Sequence, residues 1–558
     1  MVDKTSEPSF LEREAKLSAW PDFVVPDLTD GLPGLHCGPV ADMTLDAFYL
    51  DAADVRLGRA GVTLRHRTGE GGQRGRWTLK VPAEPGATTA LMQRHELTRD
   101  APFGAVPGGL ARAVRMLLRG AELAPVARLR TQRHVVPLLI GDQAVGELCD
   151  DEVAVLDGSK VSARFRELEV ELLPDAPPEL LDAVVARLRS AGAAEPERGS
   201  KLARAIGPRA YVPPDPLVPL VEPTSRAEVA VQAALAADVR RLMAYVPLVF
   251  VAPEIEVIHQ ARVATRRLRS HLRTFAAVLE PPRRESLRDE LSWLGGAFGV
   301  VRDLDVFVQR LRAYDTTLDS DDDRASLERL TGRFVAQRSA ALDRLRRALS
   351  SDRAGTLLDA AVAFAVEPPL TVEGARPAAE VLPELTRPVV ARFERRARRL
   401  GADSSIEALH DLRIRAKRAR YAVESNESVF PASRAHARAL AALQGVLGDL
   451  HDTTVTEERL RAALTSGGSD DAFVAGMVWR QRGNKRLLCA PPGPSSRDVH
   501  DRRRFEHGWT NRADGNEGRI DSRGGRRHRV AQRRIGGAGD RARPPAGLRR
   551  LGVPEGQA

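Results

Sequence analysis

The sequence predicts an α+β multidomain chain: an N-terminal antiparallel β-barrel enclosing a tunnel, then an all-α duplicated helical-bundle domain, then a disordered C-terminal tail. Three observations predict it. Up to about residue 205, short segments broken by Gly/Pro/Asp turns carry charged residues with period two. From Thr224, apolar residues recur at three- and four-residue spacing. A His/Arg motif of this second half occurs twice, about 150 residues apart.

Composition bounds the problem first. At 558 residues, 43% hydrophobic and 29% charged, the chain is ordinary globular material with room for more than one core. It has no apolar run of about 18 residues, so no membrane partner is expected. The start, MVDKTSEPSFLEREAK, lacks the basic-then-apolar pattern of a signal peptide, and the cytoplasm is the expected compartment. Cys37, Cys149 and Cys489 are too few and too scattered for a disulfide framework or a thiolate cluster, and are read as packing residues. The net charge of +10 is a tail property: residues 480–558 hold 20 Lys+Arg against 8 Asp+Glu, leaving 65 against 67 before them. Overall basicity is therefore no ground for a nucleic-acid partner, and an anion site in the folded part has to rest on local clusters.

The barrel is assigned to residues 9–205, with turns at Gly31–Gly34, Gly69–Gly75 and Pro82–Gly86. Glu12, Glu14 and Lys16 in LEREAKL share one face if the segment is a strand, although Glu12 and Lys16 would also pair across a helical turn. Later segments favour the strand. Period two recurs at Arg65/Arg67, Arg94/Glu96, Arg128/Arg130, Glu147/Asp151 and Glu167/Glu169/Glu171. An open sheet could expose such a face to water, but the signs come in blocks, acidic on the first and last segments and basic between. Clustered carboxylates without Cys or His partners suit hard divalent cations, and basic strands opposite suit phosphates. Closing the sheet turns the charged face into a tunnel.

In order, these motifs resemble the CYTH family, the triphosphate tunnel metalloenzymes. The resemblance rests on ExExK (Glu12, Glu14, Lys16), LRHR (Arg65, Arg67), WTLK (Lys80), RHE (Arg94, Glu96), RLR (Arg128, Arg130), ExExE (Glu167, Glu169, Glu171) and the closing SK (Lys201). One departure is Tyr49-Leu50-Asp51-Ala52, which lacks the threonine of the family's YxDT strand. The resemblance implies hydrolysis of a terminal phosphoryl group, with Glu12, Glu14, Glu167 and Glu169 holding Mg²⁺ or Mn²⁺. It implies that Lys16, Arg65, Arg67, Lys80, Arg94, Arg128, Arg130 and Lys201 clamp the triphosphate. Tyr49, Glu96, Asp151 and Glu171 are then supporting residues, with Asp151 preferred over Asp150 because it shares a face with Glu147. Arg94 and Glu96 could instead form a structural ion pair.

Residues 206–223, rich in proline, read as a linker. The helical domain follows over 224–482. His259, Arg262, Arg266 and Arg269 recur as His410, Arg413, Lys417 and Arg420, and LGGAFGVVRDLDV (294–306) recurs as LQGVLGDLHDTTV (443–455). Spacing of i, i+3, i+7 and i+10 puts each basic set on one helical stripe. Stacked like charges need solvent or an anion; an exposed solvated face is the plain alternative, and the repetition favours the anion. Two helical hairpin units about a pseudo-two-fold axis are expected. These helices, each followed by an LGxxRD-like or LGxLHD-like turn, resemble the CHAD domain. That resemblance implies polyphosphate bound along a basic groove by His259, Arg262, Arg266, Arg273, His410, Arg413, Lys417 and Arg420, with Asp303, Asp305 and Asp452 orienting the basic side chains.

From residue 483 to 558 helical periodicity gives way to Arg/Gly/Pro-rich sequence, read either as an out-of-frame ending or as a disordered tail that adds affinity for polyanions. The expected function is metal-dependent hydrolysis of inorganic triphosphate or an organic triphosphate, with polyphosphate as the partner of the helical domain and polyphosphate granules as a place of association. A non-catalytic polyphosphate-binding protein and an adenylate cyclase are the competing readings.

Overall fold

The computed structural model describes residues 10–489 apart from 31, 33, 71–73, 85–90, 196–198, 319, 402–403 and 465–470. Parts of the three expected turns thus lie outside the described residues. So does residue range 490–558, which holds most of the expected tail.

Among the described residues nine strands form one antiparallel sheet: β1 (Phe10–Ala19), β2 (Leu35–Cys37), β3 (Ala41–Asp51), β4 (Thr63–Thr68), β5 (Arg76–Pro82), β6 (Leu91–Asp100), β7 (Ala124–Ile140), β8 (Gln143–Asp157) and β9 (Lys160–Leu172). Their order is β2-β7-β3-β4-β5-β6-β1-β9-β8, and β8 pairs again with β7. Eight strands therefore close into a barrel, with β2 added to the far end of β7, where Leu35 faces Ile140. Closure depends on length. With 17 residues, β7 pairs with β3 over Ala124 to Val135 and with β8 over Arg128 to Ile140. LEREAKL is strand, as period two required: Lys16 stands opposite Glu169 and Glu14 opposite Glu171.

Four short helices finish the barrel: α1 (Arg56–Arg59), α2 (Gly108–Leu118), α3 (Pro178–Ser190) and α4 (Lys201–Ile206). Buried Asp51 accepts from the backbone N–H groups of Ala52, Leu57 and Gly58 at 2.7, 3.0 and 2.8 Å, so it tethers α1. Ser200 caps α4 through Ala203 N, and Leu202 of α4 plugs one barrel end among Ala47, Tyr49, Leu129, Val153 and Val155.

Among the described residues nine α-helices follow: α5 (Ala227–Val251), α6 (Ile255–Thr274), α7 (Pro281–Arg312), α8 (Asp321–Leu349), α9 (Asp352–Val366), α10 (Ala378–Ala397), α11 (Ile406–Glu424), α12 (Ser433–Leu464) and α13 (Asp471–Cys489). The duplicated unit is larger than a hairpin, because α5–α8 correspond to α10–α13 with α9 between them. Equivalent helices meet, α5 with α10, α6 with α11 and α7 with α12, as a pseudo-two-fold arrangement requires. The repeated LGxxRD and LGxLHD segments are not turns; they lie inside α7 and α12. Two of these glycines lie beneath an arginine of the neighbouring helix, at ordinary van der Waals distance. A Cβ on Gly299 would sit 3.6 Å from Arg262 Nη2, and one on Gly448 4.0 Å from Arg413 Nε. Helix α13 continues through Cys489, so the first seven residues assigned to the tail are helical.

One core spans both halves. Leu64, Trp77, Leu79 and Leu97 on the outside of the barrel pack with Leu110, Val114 and Leu117 of α2 and with Val231, Leu235 and Leu242 of α5. Each fully buried Leu or Val contributes roughly 1.5–3 kcal/mol. The proline-rich stretch is pinned as well: Asp215 receives Arg59 Nη2 at 2.9 Å and Arg119 Nη2 at 3.2 Å. No helix among the described residues is long and apolar enough to cross a membrane.

Candidate tunnel site and basic groove

The barrel encloses a polar cavity of about 270 Å³, lined by eight cationic and five anionic side chains. On one wall, β1, β8, β9 and the start of α4 bring together Glu14, Lys16, Asp151, Glu167, Glu169 and Lys201. Lys16 Nζ lies 3.1 Å from Glu14 Oε2 and 3.8 Å from Glu167 Oε1, and it also binds Glu169. Lys201 Nζ lies 2.9 Å from Asp151 Oδ2, 2.9 Å from Glu167 Oε1 and 2.6 Å from Glu169 Oε1. Both lysines thus engage the carboxylates rather than standing free for phosphate. Burial by itself raises the Glu169 pKa, but Lys16, Lys201 and Arg133 outweigh it and hold the carboxyl well below the usual range. Glu14 and Asp151 are held low in the same way against burial, chiefly by Lys16 and by Lys201 respectively.

On the other wall, Arg65 and Arg67 point inward from β4, Lys80 from β5, and Arg94 and Glu96 from β6. The ion pair of Glu96 is with Lys80, at 3.1 Å. Arg65 hydrogen-bonds the Tyr49 phenol; burial raises the phenol's pKa, but Arg65, Lys201 and Arg67 turn the net shift downward. Glu171 and Glu147 line the same cavity. Asp151 faces inward and Asp150 outward, where Arg166 grips it at 2.8 and 2.6 Å.

Arg128 and Arg130 correct the expectation. Residues of β7 facing the tunnel are the odd-numbered ones, beginning with Leu129, so the two arginines lie on the outer surface and share Asp46 at 3.0 and 2.8 Å. Arg128 also covers the Phe48 ring at 5.0 Å. The inward arginine is Arg133, which sequence reasoning missed. It binds Asp151 through Nε and Nη2 and Glu169 at 2.7 Å. Cys149 is also not simple packing: its Sγ donates to Glu147 Oε1 at 3.3 Å, and burial pushes the thiol pKa up. Cys37 is exposed.

Two kinds of buried atom in this tunnel lack hydrogen-bond partners. Glu14 Oε1 and Glu167 Oε2 are unsatisfied on the acidic wall, and Arg65 Nε and Arg67 Nε on the basic one. An unsatisfied buried polar atom is costly, and although Arg204 Nη1 stands 3.6 Å from Glu167 Oε2 and Glu70 pairs with Arg67, all four atoms keep an unused hydrogen-bonding valence. Oxygen donors of this kind fit Mg²⁺ or Mn²⁺. Among the described residues no three potential ligands already converge on one point, because the ammonium and guanidinium groups stand between them. Glu12 lies in β1 opposite Arg94, and its side chain lies outside the described residues.

In the helical domain α6 and α11 bring Arg262, Arg266, Arg413 and Lys417 within electrostatic range of one another. Lys417 has no ion-pair partner among the described residues; burial and then Arg266, Arg413 and Arg262 push its pKa down to about 6. Arg262 is oriented by Asp303 at 3.3 Å, as expected. Asp305 and Asp452 instead pair with Arg338 and, at 3.9 Å, Arg310. His259 faces Arg302 of α7, and His410 faces His451 of α12 with Nδ1 to Nδ1 3.1 Å. Arg302, absent from the expected set, has an unsatisfied buried Nη1, and Arg413 an unsatisfied Nε. Its signal was present, since it immediately precedes Asp303 in the repeated segment. Arg420 is committed to Glu424 at 3.1 Å and to the Tyr421 ring, and Arg273 is exposed beside Arg269 and Arg418. Neither is among the charges that surround Lys417.

A closed barrel with a charged tunnel, packed against a duplicated helical domain with a cluster of basic side chains between α6 and α11, defines a two-domain protein. The sequence matches the CYTH domain over residues 16–206 and the CHAD domain over residues 233–461. It is 30% identical over 470 residues to an uncharacterized protein of Mycobacterium tuberculosis found in two strains, covering 80% of this chain and 87% of that one. The chain belongs to the family that joins a CYTH domain to a CHAD domain. The CYTH family includes triphosphatases and cyclases. Among solved structures, the CHAD domain of Ricinus communis is 25% identical, covering 50% of this chain and 92% of its own, with TM-score 0.42. A Hippeastrum protein whose structure was described as revealing a dominant triphosphatase activity is 17% identical, covering 35% and 94%, with TM-score 0.23.

Proposed function

We propose that the barrel hydrolyses a linear triphosphate, inorganic or organic, with Mg²⁺ or Mn²⁺, and that the helical domain binds polyphosphate. The observation that carries the reading is a pair of unsatisfied sets inside the barrel: carboxylate oxygens of Glu14 and Glu167, packed behind the cavity wall that Lys16, Glu169 and Lys201 line, and guanidinium nitrogens of Arg65 and Arg67, which line the cavity. A metal ion would take up the free carboxylate oxygens, and triphosphate oxygens the free guanidinium nitrogens.

Glu14, Glu167 and Glu169, with Glu12, would hold the metal. When bound, it would neutralise phosphate charge and lower the pKa of an attacking water. Arg65, Arg67, Lys80 and Arg94 hold the phosphate oxygens, and Tyr49 positions Arg65. Lys16, Lys201 and Arg133 keep the buried carboxylates ionised. Hydrolysis adds one water across a P–O–P bond and needs no side-chain nucleophile; fixed cations around the equatorial oxygens supply most of the acceleration. In the groove, the unsatisfied donors of Arg302 and Arg413 and the unpaired Lys417 support phosphate binding. Binding there would bring the chain to polyphosphate granules of the cytoplasm.

The test is product analysis with the full chain, Mg²⁺ or Mn²⁺, and triphosphate, ATP or long-chain polyphosphate, comparing wild type with Glu14→Gln. Orthophosphate release that Glu14→Gln abolishes supports the reading. Cyclic AMP from ATP would establish a cyclase, and binding without turnover a non-catalytic protein.

A further inference from the structure

We propose that His451 and Lys417, set beside His410, make one end of the basic cluster a proton-linked phosphate site: a phosphate chain bound there draws protons onto His451 and Lys417, and binding tightens as the pH falls. This rests on the groove reading given above and concerns how that site is regulated.

The duplication exposes the feature, because the two copies differ in one consistent way. Where the first repeat has Arg302 facing its histidine, the second has His451; where the first has Arg266, the second has Lys417. Both differences replace a guanidinium, which stays charged at any working pH, with a group that can lose its proton. The second half thus carries two more titratable groups than the first.

The geometry places the titratable groups together. His410 Nδ1 lies 3.1 Å from His451 Nδ1, with ring centroids 4.5 Å apart. At that distance one hydrogen fits between the two nitrogens, so at least one Nδ1 is an acceptor. Around Lys417 stand Arg413 on its own helix, Arg262 and Arg266 on α6, and Asp452 on α12. Around His451 stand Arg413, His410 and Lys417 on α11 and Arg262 on α6. Of the nearby carboxylates, Asp452 is itself approached by Arg310 of α7 at 3.9 Å and by Asp449 on its own helix, and Asp303 of α7 is held by Arg262 at 3.3 Å. Packed on the far side of α11, α10 contributes Arg396, which is held by Asp411 at 2.8 Å.

Burial and this excess of positive charge keep Lys417 near 6 and His451 near 4, so both are largely neutral at neutral pH. The same field would repel a divalent cation from the histidine pair, which leaves an anion as the ligand. Phosphate oxygens reverse the field and raise both values. Linkage then requires proton uptake on binding, and each proton taken up strengthens affinity by at most about tenfold per pH unit of acidification.

The experiment uses the full chain, EDTA to silence the tunnel, and linear polyphosphate. Calorimetry at pH 7 in two buffers of different ionisation enthalpy counts protons taken up, and affinity is measured at pH 6, 7 and 8. Expected are net uptake by the wild type and, for Lys417→Arg/His451→Arg, retained binding with uptake reduced and a flatter pH dependence. Protons exchanged by the polyphosphate itself are common to both proteins and cancel. Equal uptake and parallel pH profiles in the two proteins would overturn the proposal alone. Binding indifferent to Arg413→Ala would overturn the groove reading together with the proposal.

Discussion

Arg133 grips Asp151 with two parallel hydrogen bonds, Nε to Oδ1 at 2.7 Å and Nη2 to Oδ2 at 2.6 Å, between adjacent strands β7 and β8. The same Nη2 reaches Glu169. A guanidinium in this position fixes two tunnel carboxylates at once, and its removal leaves both short of a counter-charge in a buried site. Losing one partner of a buried pair costs about 3–5 kcal/mol. Arg133→Met should therefore lower kcat/KM for triphosphate by at least about 100-fold. Arg128→Ala and Arg130→Ala each remove one of the two arginines that hold Asp46 on the outer surface, the first also uncovering the Phe48 ring, and should stay within about threefold of wild type. Steady-state phosphate release on the three variants decides between the two faces of β7.

Metal binding should be separable from folding at Glu14. Its Oε1 lacks a hydrogen-bond partner while Oε2 keeps Lys16, so Glu14→Gln removes charge without removing shape. Ligand at 100 times its Kd stabilises by about 2.7 kcal/mol, which thermal melts resolve. Mn²⁺ with triphosphate should raise the Tm of the wild type, and the rise should be mostly lost in Glu14→Gln. An undiminished rise would remove Glu14 from the metal site.

Lys201 offers a pH test. Asp151 and Glu169 have folded pKa values below their unfolded ones, so their stabilisation is present above about pH 4 and disappears as the pH falls through the lower folded values. The folded pKa of Lys201 is raised, so its share is present below its ordinary value of 10.5 and is lost as the pH climbs through the higher folded value. Lys201→Met should lower the urea midpoint at pH 7, and the difference from wild type should narrow below about pH 4 as the carboxylates protonate.

Lys417 should behave in the opposite sense. Its folded pKa near 6 lies below the ordinary 10.5, so the unfolded chain binds the extra proton and the wild type gains stability as the pH rises from 6 towards 10.5. Lys417→Met should raise the Tm of the free protein, most at pH 6 and least near pH 10, while weakening polyphosphate binding. A Tm that falls in the variant at every pH would show that Lys417 is a net stabilising residue.

Period two was enough to read β1, β4 and β9 and to place Glu14, Arg65 and Glu169 on one inner face. It failed on β7 because RLRTQR carries arginine at both parities, and both faces of that strand are polar. The usual rule of apolar inside and polar outside then has nothing to act on. Only the pairing of Arg133 with Asp151 resolves which face is inward. In the helical half the stripe was visible, but Arg302 and His451 come from neighbouring helices, and a pattern along one helix cannot show what a second helix lays beside it. The glycines of the LG segments suggested turns, but both segments lie inside 32-residue helices, α7 and α12.

The most direct measurement is orthophosphate release from inorganic triphosphate by the full chain, with and without Mg²⁺, beside Glu169→Gln. Charge-paired tunnel walls predict release that requires the metal and falls by at least about 100-fold in the variant. Release that persists without metal, or that Glu169→Gln leaves intact, would contradict a catalytic site in the barrel.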